Sequence, residues 1–129
     1  MSIQVEIVTP QKTAYSGEAT EVQAPGFLGE FGVLPDHTFF LSVMRPGTVT
    51  VFTADGPKRF LVGRGFAEAG PAQLTLLTEV CETEVDRAAA EQALRDAEAA
   101  LMEHEAGTGP HAVARHAADL AAARIAFAG

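Results

Sequence analysis

Residues 73–101, QLTLLTEVCETEVDRAAAEQALRDAEAAL, decide the fold, because the pattern of apolar residues changes within them. At the start, Leu74 and Leu76 alternate with polar residues, as in a strand with one buried face. Beyond Thr83, alanine dominates and β-branched residues almost vanish. An apolar stripe at helical spacing then follows, formed by Ala90, Ala93, Leu94, Ala97 and Leu101. We therefore place a boundary between a β-rich region and a helical region at Thr83.

The β-rich region, residues 1–83, consists of short alternating segments separated by turn residues. Asp55-Gly56 is a turn dipeptide between the apolar segments 48–52 and 59–62, which indicates a hairpin. In the first of these segments, residues 3–8, one face carries Ile3, Val5 and Ile7. Many short strands without an intervening helix predict an N-terminal β-sandwich of about ten strands. We expect it to act as a docking domain.

The helical region, residues 84–129, is predicted to form an antiparallel two-helix hairpin. Thr83 is the expected N-cap of the first helix, and Pro110 suits the first turn of the second. The predicted apolar stripe of the second helix contains Val113, Ala117, Leu120 and Phe127. Because alanine buries little area, we expect a weakly held hairpin that packs on the sandwich or on a partner.

Composition excludes several classes of partner and location. The 129 residues carry a net charge of −8 and only nine lysines and arginines, so a phosphate backbone or an anionic lipid surface would repel the chain. The sequence has no apolar run that approaches a membrane span of about 18 residues, so direct insertion is not expected. The N-terminus lacks the pattern of a signal peptide. Cys81 is the single cysteine, which excludes an intrachain disulfide.

No catalytic constellation, metal site or cofactor motif is recognisable. The sequence has no G-x-x-x-x-G-K-[ST] phosphate loop and no serine in a G-x-S-x-G elbow. The four histidines form neither an H-E-x-x-H nor an H-x₃-H pair, so we expect no zinc. The sequence therefore predicts a non-catalytic binding protein without a cofactor.

The stretch Gly29–His37, GEFGVLPDH, combines two glycines, a proline, an acidic residue and a histidine. One interpretation is a tight structural loop in which His37 makes an internal hydrogen bond. Another is a shaped surface that presents an epitope to a partner. A third interpretation is a small hydrolase or isomerase that uses His37 with Asp36 or Glu30. Adjacent residues of a strand point to opposite faces, which weakens Asp36 as the partner that orients His37.

The same stretch resembles the epsilon subunits of bacterial and chloroplast F-type ATP synthases, whose mitochondrial counterpart is called delta. The family pattern here is G-E-F-G-[VI]-[LY]-P-G-H, which this chain matches except that Asp36 stands where glycine is usual. Pro46-Gly47, the segment Val62–Glu68 and Val85-Asp86 resemble later family segments in the same order. Phe39-Phe40 replaces the usual Pro-Leu pair.

The resemblance implies a central-stalk rotor subunit that binds the gamma subunit and the c-ring and couples ring rotation to ATP synthesis. By position, Glu30, Phe31 and Gly32 face the c-ring, while Gly29, Pro35 and His37 support the loop. It also implies a peripheral location on the cytoplasmic face of the bacterial plasma membrane. A free-standing regulatory module that senses a nucleotide or another small ligand is the alternative.

The resemblance also bears on the hairpin, which in the family can extend to the alpha/beta head and block ATP hydrolysis. Some members bind ATP through an [IL]-D-x-x-R-A motif. This chain keeps Asp86, but Ala89 occupies the arginine position, and Arg87 lies about 200° around a helix from it. We therefore do not expect nucleotide binding. Few cations follow Thr83, so electrostatic grip on an acidic head surface would be modest.

Overall fold

The computed structural model describes the whole chain, Met1–Gly129, as two units, Met1–Thr83 and Glu84–Gly129. The first unit contains ten strands: β1 (Ile3–Val8), β2 (Thr13–Ala19), β3 (Glu21–Gly26), β4 (Gly29–Val33), β5 (Phe40–Met44), β6 (Gly47–Thr53), β7 (Gly56–Val62), β8 (Gly65–Ala69), β9 (Gln73–Thr78) and β10 (Cys81–Glu82). The second contains α1 (Arg87–Glu103) and α2 (Gly109–Ala128). The prediction of about ten strands followed by two helices is confirmed.

The strands form one continuous sheet in the order β10-β7-β6-β3-β5-β8-β9-β1-β2, with β4 paired to β3. All pairs are antiparallel except β1 with β9. The sheet folds over so that β2 returns against β6, and the ring of Tyr15 in β2 lies 5.0 Å from the ring of Phe60 in the neighbouring β7. This closure gives the two layers of a sandwich.

Alternation along the strands places one face of each strand in a shared core. In β1 and β9 the fully buried side chains are those that the sequence pattern selects, including Ile3, Ile7 and Leu76. The core is aliphatic, and its largest fully buried side chains are Ile3, Ile7, Met44, Leu61, Leu74, Leu76, Val5, Val22, Val33, Val49, Val51 and Val62.

Two local expectations for the sandwich need correction. The stretch predicted as a loop begins with strand β4, because Gly29 to Val33 pairs in register with β3. The hairpin between β6 and β7 is confirmed, but its turn residues are Ala54 and Asp55, and Gly56 already pairs with Thr53 at a φ of 112°.

The helices begin and pack differently from the sequence prediction. Asp86, not Thr83, caps α1, because its carboxylate accepts a hydrogen bond from the Ala89 amide at 3.1 Å. Thr108 caps α2, and Pro110 lies in the first turn as expected. The stripe predicted for α2 is wrong for Val113, which is 71% exposed, and for the exposed Ala117, whereas Leu120 and Phe127 are half-buried. The buried residues of the hairpin are instead Ala90, Ala97, Ala114, Ala118 and Ala121.

Neither helix is both long enough and apolar enough to cross a membrane.

Candidate partner-binding surface

An exposed apolar band crosses the outer face of strands β5, β8 and β9. Val43 pairs with Phe66, and Phe66 pairs in turn with Leu77, so the three side chains form a row across the strands. Leu41 lies two residues from Val43 on the same face of β5. Phe27 continues the row, since its amide donates to the Val43 carbonyl at 2.9 Å. We call these five residues, Phe27, Leu41, Val43, Phe66 and Leu77, the apolar band.

The band is unusual because the opposite face of the same strands already supplies the core. Met44, Ala67 and Leu76 are buried, whereas Leu41 is 67% exposed and Phe66 49% exposed. An antiparallel sheet with one solvated face normally alternates apolar and polar residues. A contiguous apolar patch on the solvated face is typical of a protein interaction site.

An open groove of about 670 Å³ lies between the β3–β4 hairpin and β5. The hairpin closes through the pair Gly26–Gly29, where Gly29 adopts a φ of 135° that only glycine takes without strain. The two loop residues, Phe27 and Leu28, are 70% and 96% exposed. The mouth of the groove is therefore apolar and accessible.

The three residues expected to face the c-ring lie in succession on β4, beside this groove. Glu30 is exposed, and Gly32 is exposed next to the carboxylate of Glu21, since a Cβ built on Gly32 would lie 3.7 Å from Glu21 Oε2. Phe31 points the other way and packs edge-on against Phe40, with ring centroids 5.8 Å apart. Two of the three can thus contact a partner directly, and Phe31 supports the wall of the groove.

The remaining loop residues hold the segment between β4 and β5. His37 is half-buried; its Nδ1 lies 3.0 Å from the carbonyl oxygen of its neighbour Thr38, and its ring lies 4.8 Å from that of Phe40. Asp36 has a φ of 65°, and its amide donates to the Pro71 carbonyl at 2.7 Å. A left-handed residue at this position explains physically why glycine would suit it. Pro35 precedes it and is half-buried.

The hairpin residues expected to bear on nucleotide binding have structural roles. The carboxylate of Asp86 caps α1 by accepting from the amide of Ala89. Arg87 lies 3.9 Å from the carboxylate of Glu91, one turn further along the helix. Ala89 is exposed and its methyl group cannot bind a phosphate. The start of α1 therefore presents no cation at the position where the motif has arginine.

Titratable groups elsewhere do not converge on a site. No group of three or more His, Cys, Asp or Glu side chains is arranged to hold a metal ion. Cys81 is half-buried in the two-residue strand β10, and burial, followed by the charge of Glu82, raises the pKa of its thiol. A thiol with a raised pKa is a weak nucleophile at neutral pH.

Sequence reasoning missed the apolar band. Strand β5, FLSVM, and strand β9, QLTLLT, each carry large apolar residues on both faces. In a sequence, such a strand cannot be distinguished from one that is buried on both sides. The only signal available was the excess of apolar residues over what one buried face requires.

Comparison with known proteins gives consistent matches to one family. A sequence profile described as the ATP synthase delta/epsilon chain, β-sandwich domain, matches residues 2–84. The ATP synthase epsilon chain 1 of Nitrobacter hamburgensis is 36% identical over 102 residues, which cover 78% of this chain and 76% of that protein. The ATP synthase epsilon chain of Hydrogenovibrio crunogenus is 39% identical over 103 residues, covering 78% and 72% respectively.

Solved structures share the fold. A chain in the cryo-EM structure of the Euglena gracilis mitochondrial ATP synthase, OSCP/F1/c-ring in rotational state 1, matches with a TM-score of 0.82 at 17% identity, covering 94% of this chain and 78% of that one. A chain of the Tetrahymena thermophila mitochondrial ATP synthase central stalk and c-ring matches with a TM-score of 0.59 at 15% identity, covering 97% of both chains.

Proposed function

Because the chain belongs to the ATP synthase delta/epsilon family, we propose that it is the epsilon subunit of an F-type ATP synthase, a non-catalytic rotor subunit of the central stalk. In that role it binds the gamma subunit and the c-ring and couples rotation of the ring to ATP synthesis in the catalytic head.

The apolar band is the observation that carries this proposal. Its five side chains are exposed on a face that has no covering element within the sandwich unit. Burial of such side chains against a partner contributes roughly 25 cal/mol for each Å² of apolar surface removed from water. We propose the band as the contact with the gamma subunit, since a permanent rotor contact favours an apolar interface.

The c-ring contact is assigned to the exposed part of β4. Glu30 supplies a carboxylate and Gly32 leaves the adjacent backbone uncovered, while Phe27 and Leu28 form an apolar tip beside them. This surface adjoins the apolar band through Phe27, which suits a subunit that must grip two partners at once.

The C-terminal hairpin is proposed as a regulatory element that can contact the alpha/beta head, without a nucleotide switch of its own. Its start lacks the arginine of the ATP motif at Ala89, and Asp86 is already engaged as the helix cap. Its cations are Arg87, Arg95, Arg115 and Arg124 against eight acidic side chains in 84–129, so electrostatics alone would hold it weakly on an acidic surface.

The location follows from the assembly. As a rotor subunit the chain is a peripheral protein held at the membrane by its partners, on the cytoplasmic face of the bacterial plasma membrane.

The test is co-elution with an ATP synthase head that carries gamma but has been stripped of its own epsilon. We expect stoichiometric co-elution of the chain in size-exclusion chromatography. Leu41→Glu should weaken binding strongly, because it introduces a charge into the band. Ala54→Glu is the matched control, since Ala54 is an exposed apolar residue in the β6–β7 turn of the same unit, outside the band.

The outcomes separate the alternatives. If the folded wild-type chain does not co-elute with an intact head, the rotor assignment fails and a free-standing ligand sensor becomes the better reading. If it co-elutes and Leu41→Glu binds as well as Ala54→Glu, the rotor role stands and the assignment of the band to gamma is wrong.

A separate experiment addresses the hairpin. Truncation after Thr83 removes all of the second unit, so assembly through the sandwich should be retained and ATP hydrolysis by the complex should rise if the hairpin is inhibitory. Unchanged hydrolysis would remove the inhibitory role.

A further inference from the structure

Strand β4 is an open edge of the sheet. It pairs with β3 on one side and with no strand on the other. The other two edges are less available: β10 has only two residues, and β2 returns against β6, with its Tyr15 packed on Phe60 of β7. An open edge presents unpaired N–H and C=O groups that can accept another strand.

The register shows which backbone groups of β4 are unpaired. The carbonyl of Pro25 accepts from the Arg45 amide at 3.1 Å, so the backbone of Pro25 faces away from β4. Successive residues of an antiparallel strand direct their backbone groups to opposite sides. Ala24 and Gly26 therefore bond to their β4 partners, Phe31 and Gly29. The amides and carbonyls of the intervening residues of β4, Glu30 and Gly32, face the open edge.

The charges near this edge indicate what kind of polypeptide segment could bind to it. The carboxylate of Glu30 is exposed on the strand, and the carboxylate of Glu21 lies beside Gly32. Lysine and proline, which commonly protect open edges, are absent from β4, and Glu30 carries its only charged side chain. A second copy of this chain would bring the same acidic residues together on a molecule of net charge −8, which disfavours self-pairing. An extended segment that carries lysine or arginine is complementary in charge to the carboxylates at this edge.

We propose that β4 binds its partner by strand addition: an extended, lysine- or arginine-bearing segment of the c-ring surface forms main-chain hydrogen bonds with Glu30 and Gly32. This inference rests on the proposed function for the identity of the partner. It adds that the contact is made by the backbone of β4, with the Glu30 carboxylate in a secondary, charge-pairing role.

Hydrogen exchange of the full chain, free and bound to an epsilon-depleted ATP synthase that retains its c-ring, tests the pairing at single-residue resolution. In the free chain the amides of Glu30 and Gly32 should exchange rapidly, and in the complex about tenfold or more slowly, because they become hydrogen-bonded. The amide of Phe31 is the internal control, since it already pairs with Ala24 and should be protected in both states.

Two variants at one position separate the backbone from the side chain. Glu30→Gln keeps the backbone N–H and removes the side-chain charge. Glu30→Pro removes both the charge and the backbone N–H, at an edge position that tolerates proline. We expect Glu30→Pro to bind about 2- to 12-fold more weakly than Glu30→Gln, the loss that one main-chain hydrogen bond produces. Thermal melting of both variants checks that the sandwich remains folded.

The results distinguish strand addition from the proposed rotor function on which it rests. Binding with unchanged exchange at Glu30 and Gly32, or equal affinity of folded Glu30→Pro and Glu30→Gln, would overturn strand addition and leave the rotor assignment intact. Absence of any binding by the wild-type chain to the depleted complex would overturn both.

Discussion

Replacement of Gly65 by alanine should destabilise the sandwich more than any other small change in β8. Gly65 begins β8 and pairs with Thr78 of β9. A Cβ added there would overlap the carbonyl oxygen of Leu77 and lie 2.7 Å from the carbonyl carbon of Leu77 and 2.9 Å from the Cα of Thr78. All three obstacles are backbone atoms, so no side-chain rotation can relieve the overlap.

The magnitude follows from this geometry. Overpacking of a core costs typically about 1–3 kcal/mol, and we expect about 3 kcal/mol because the strand pair itself must separate. For a domain of this size each kcal/mol corresponds to a shift in Tm of about 4–8 °C, so the Tm of the sandwich should fall by about 12 °C or more. The neighbouring Phe66 belongs to the apolar band, so partner binding should weaken as well.

Thermal unfolding followed by far-UV circular dichroism measures the effect. Gly109→Ala is the matched control, because a Cβ on Gly109 meets no atom within 4 Å and should leave the Tm of the sandwich unchanged. A Tm for Gly65→Ala within about 2 °C of the wild-type value would refute the argument from the close approach of β8 and β9.

Four further predictions concern single residues. Thr78→Val should lower the free energy of unfolding by about 1–3 kcal/mol in urea titrations. The reason is that the buried Oγ1 accepts a hydrogen bond from the Gly63 amide at 3.0 Å and donates one to the Val80 carbonyl at 2.9 Å. Thr78→Ser keeps the hydroxyl and should retain most of the wild-type free energy of unfolding. Asp86→Ala should destabilise the hairpin by about 1 kcal/mol, seen as lost helical dichroism with the sandwich transition unaltered, whereas Asp86→Asn keeps the cap. The rate of Cys81 alkylation should be low at neutral pH and should still increase at pH values where a free thiol has already ionised, since burial and then the charge of Glu82 raise the pKa of the thiol. A dependence of the rate on pH that matches free cysteine would contradict this. Glu30→Ala should leave the Tm of the isolated chain unchanged, because the side chain is exposed, and a large loss of stability would rule out a free contact surface.

Alternation predicted the sandwich well where one face of a strand is polar. In β1, Gln4 and Glu6 separate the buried side chains, and the strand is found at the predicted residues. Strand β4 was interpreted as a loop because Gly29, Gly32 and Pro35 are turn residues. Gly29 closes the β3–β4 turn and Pro35 lies in the turn that follows β4, but the residues from Gly29 to Val33 pair with β3, so long-range pairing overrode local propensity.

The error in α2 has a different cause. In an alanine-rich helix every face carries methyl groups, so the larger Val113 was taken to mark the buried face. The observed seam uses Ala114, Ala118 and Ala121, because small side chains let the two helices approach closely, and Val113 is left exposed. Where all candidates are nearly equal in hydrophobicity, side-chain size rather than apolarity decides the packing face.

The two units are held by very different cores, and this difference bears on function. The sandwich buries whole isoleucine, leucine and valine side chains, each of which contributes about 1.5–3 kcal/mol, so it keeps its band and its open edge in fixed positions. The hairpin seam buries chiefly alanine methyl groups, each worth about 0.8 kcal/mol. Its folded state therefore depends strongly on whatever covers its exposed apolar residues, such as Met102 and Val113. Because the sandwich is stable and the hairpin is only marginally stable, a partner can change the conformation of the hairpin while the sandwich remains bound in the same way.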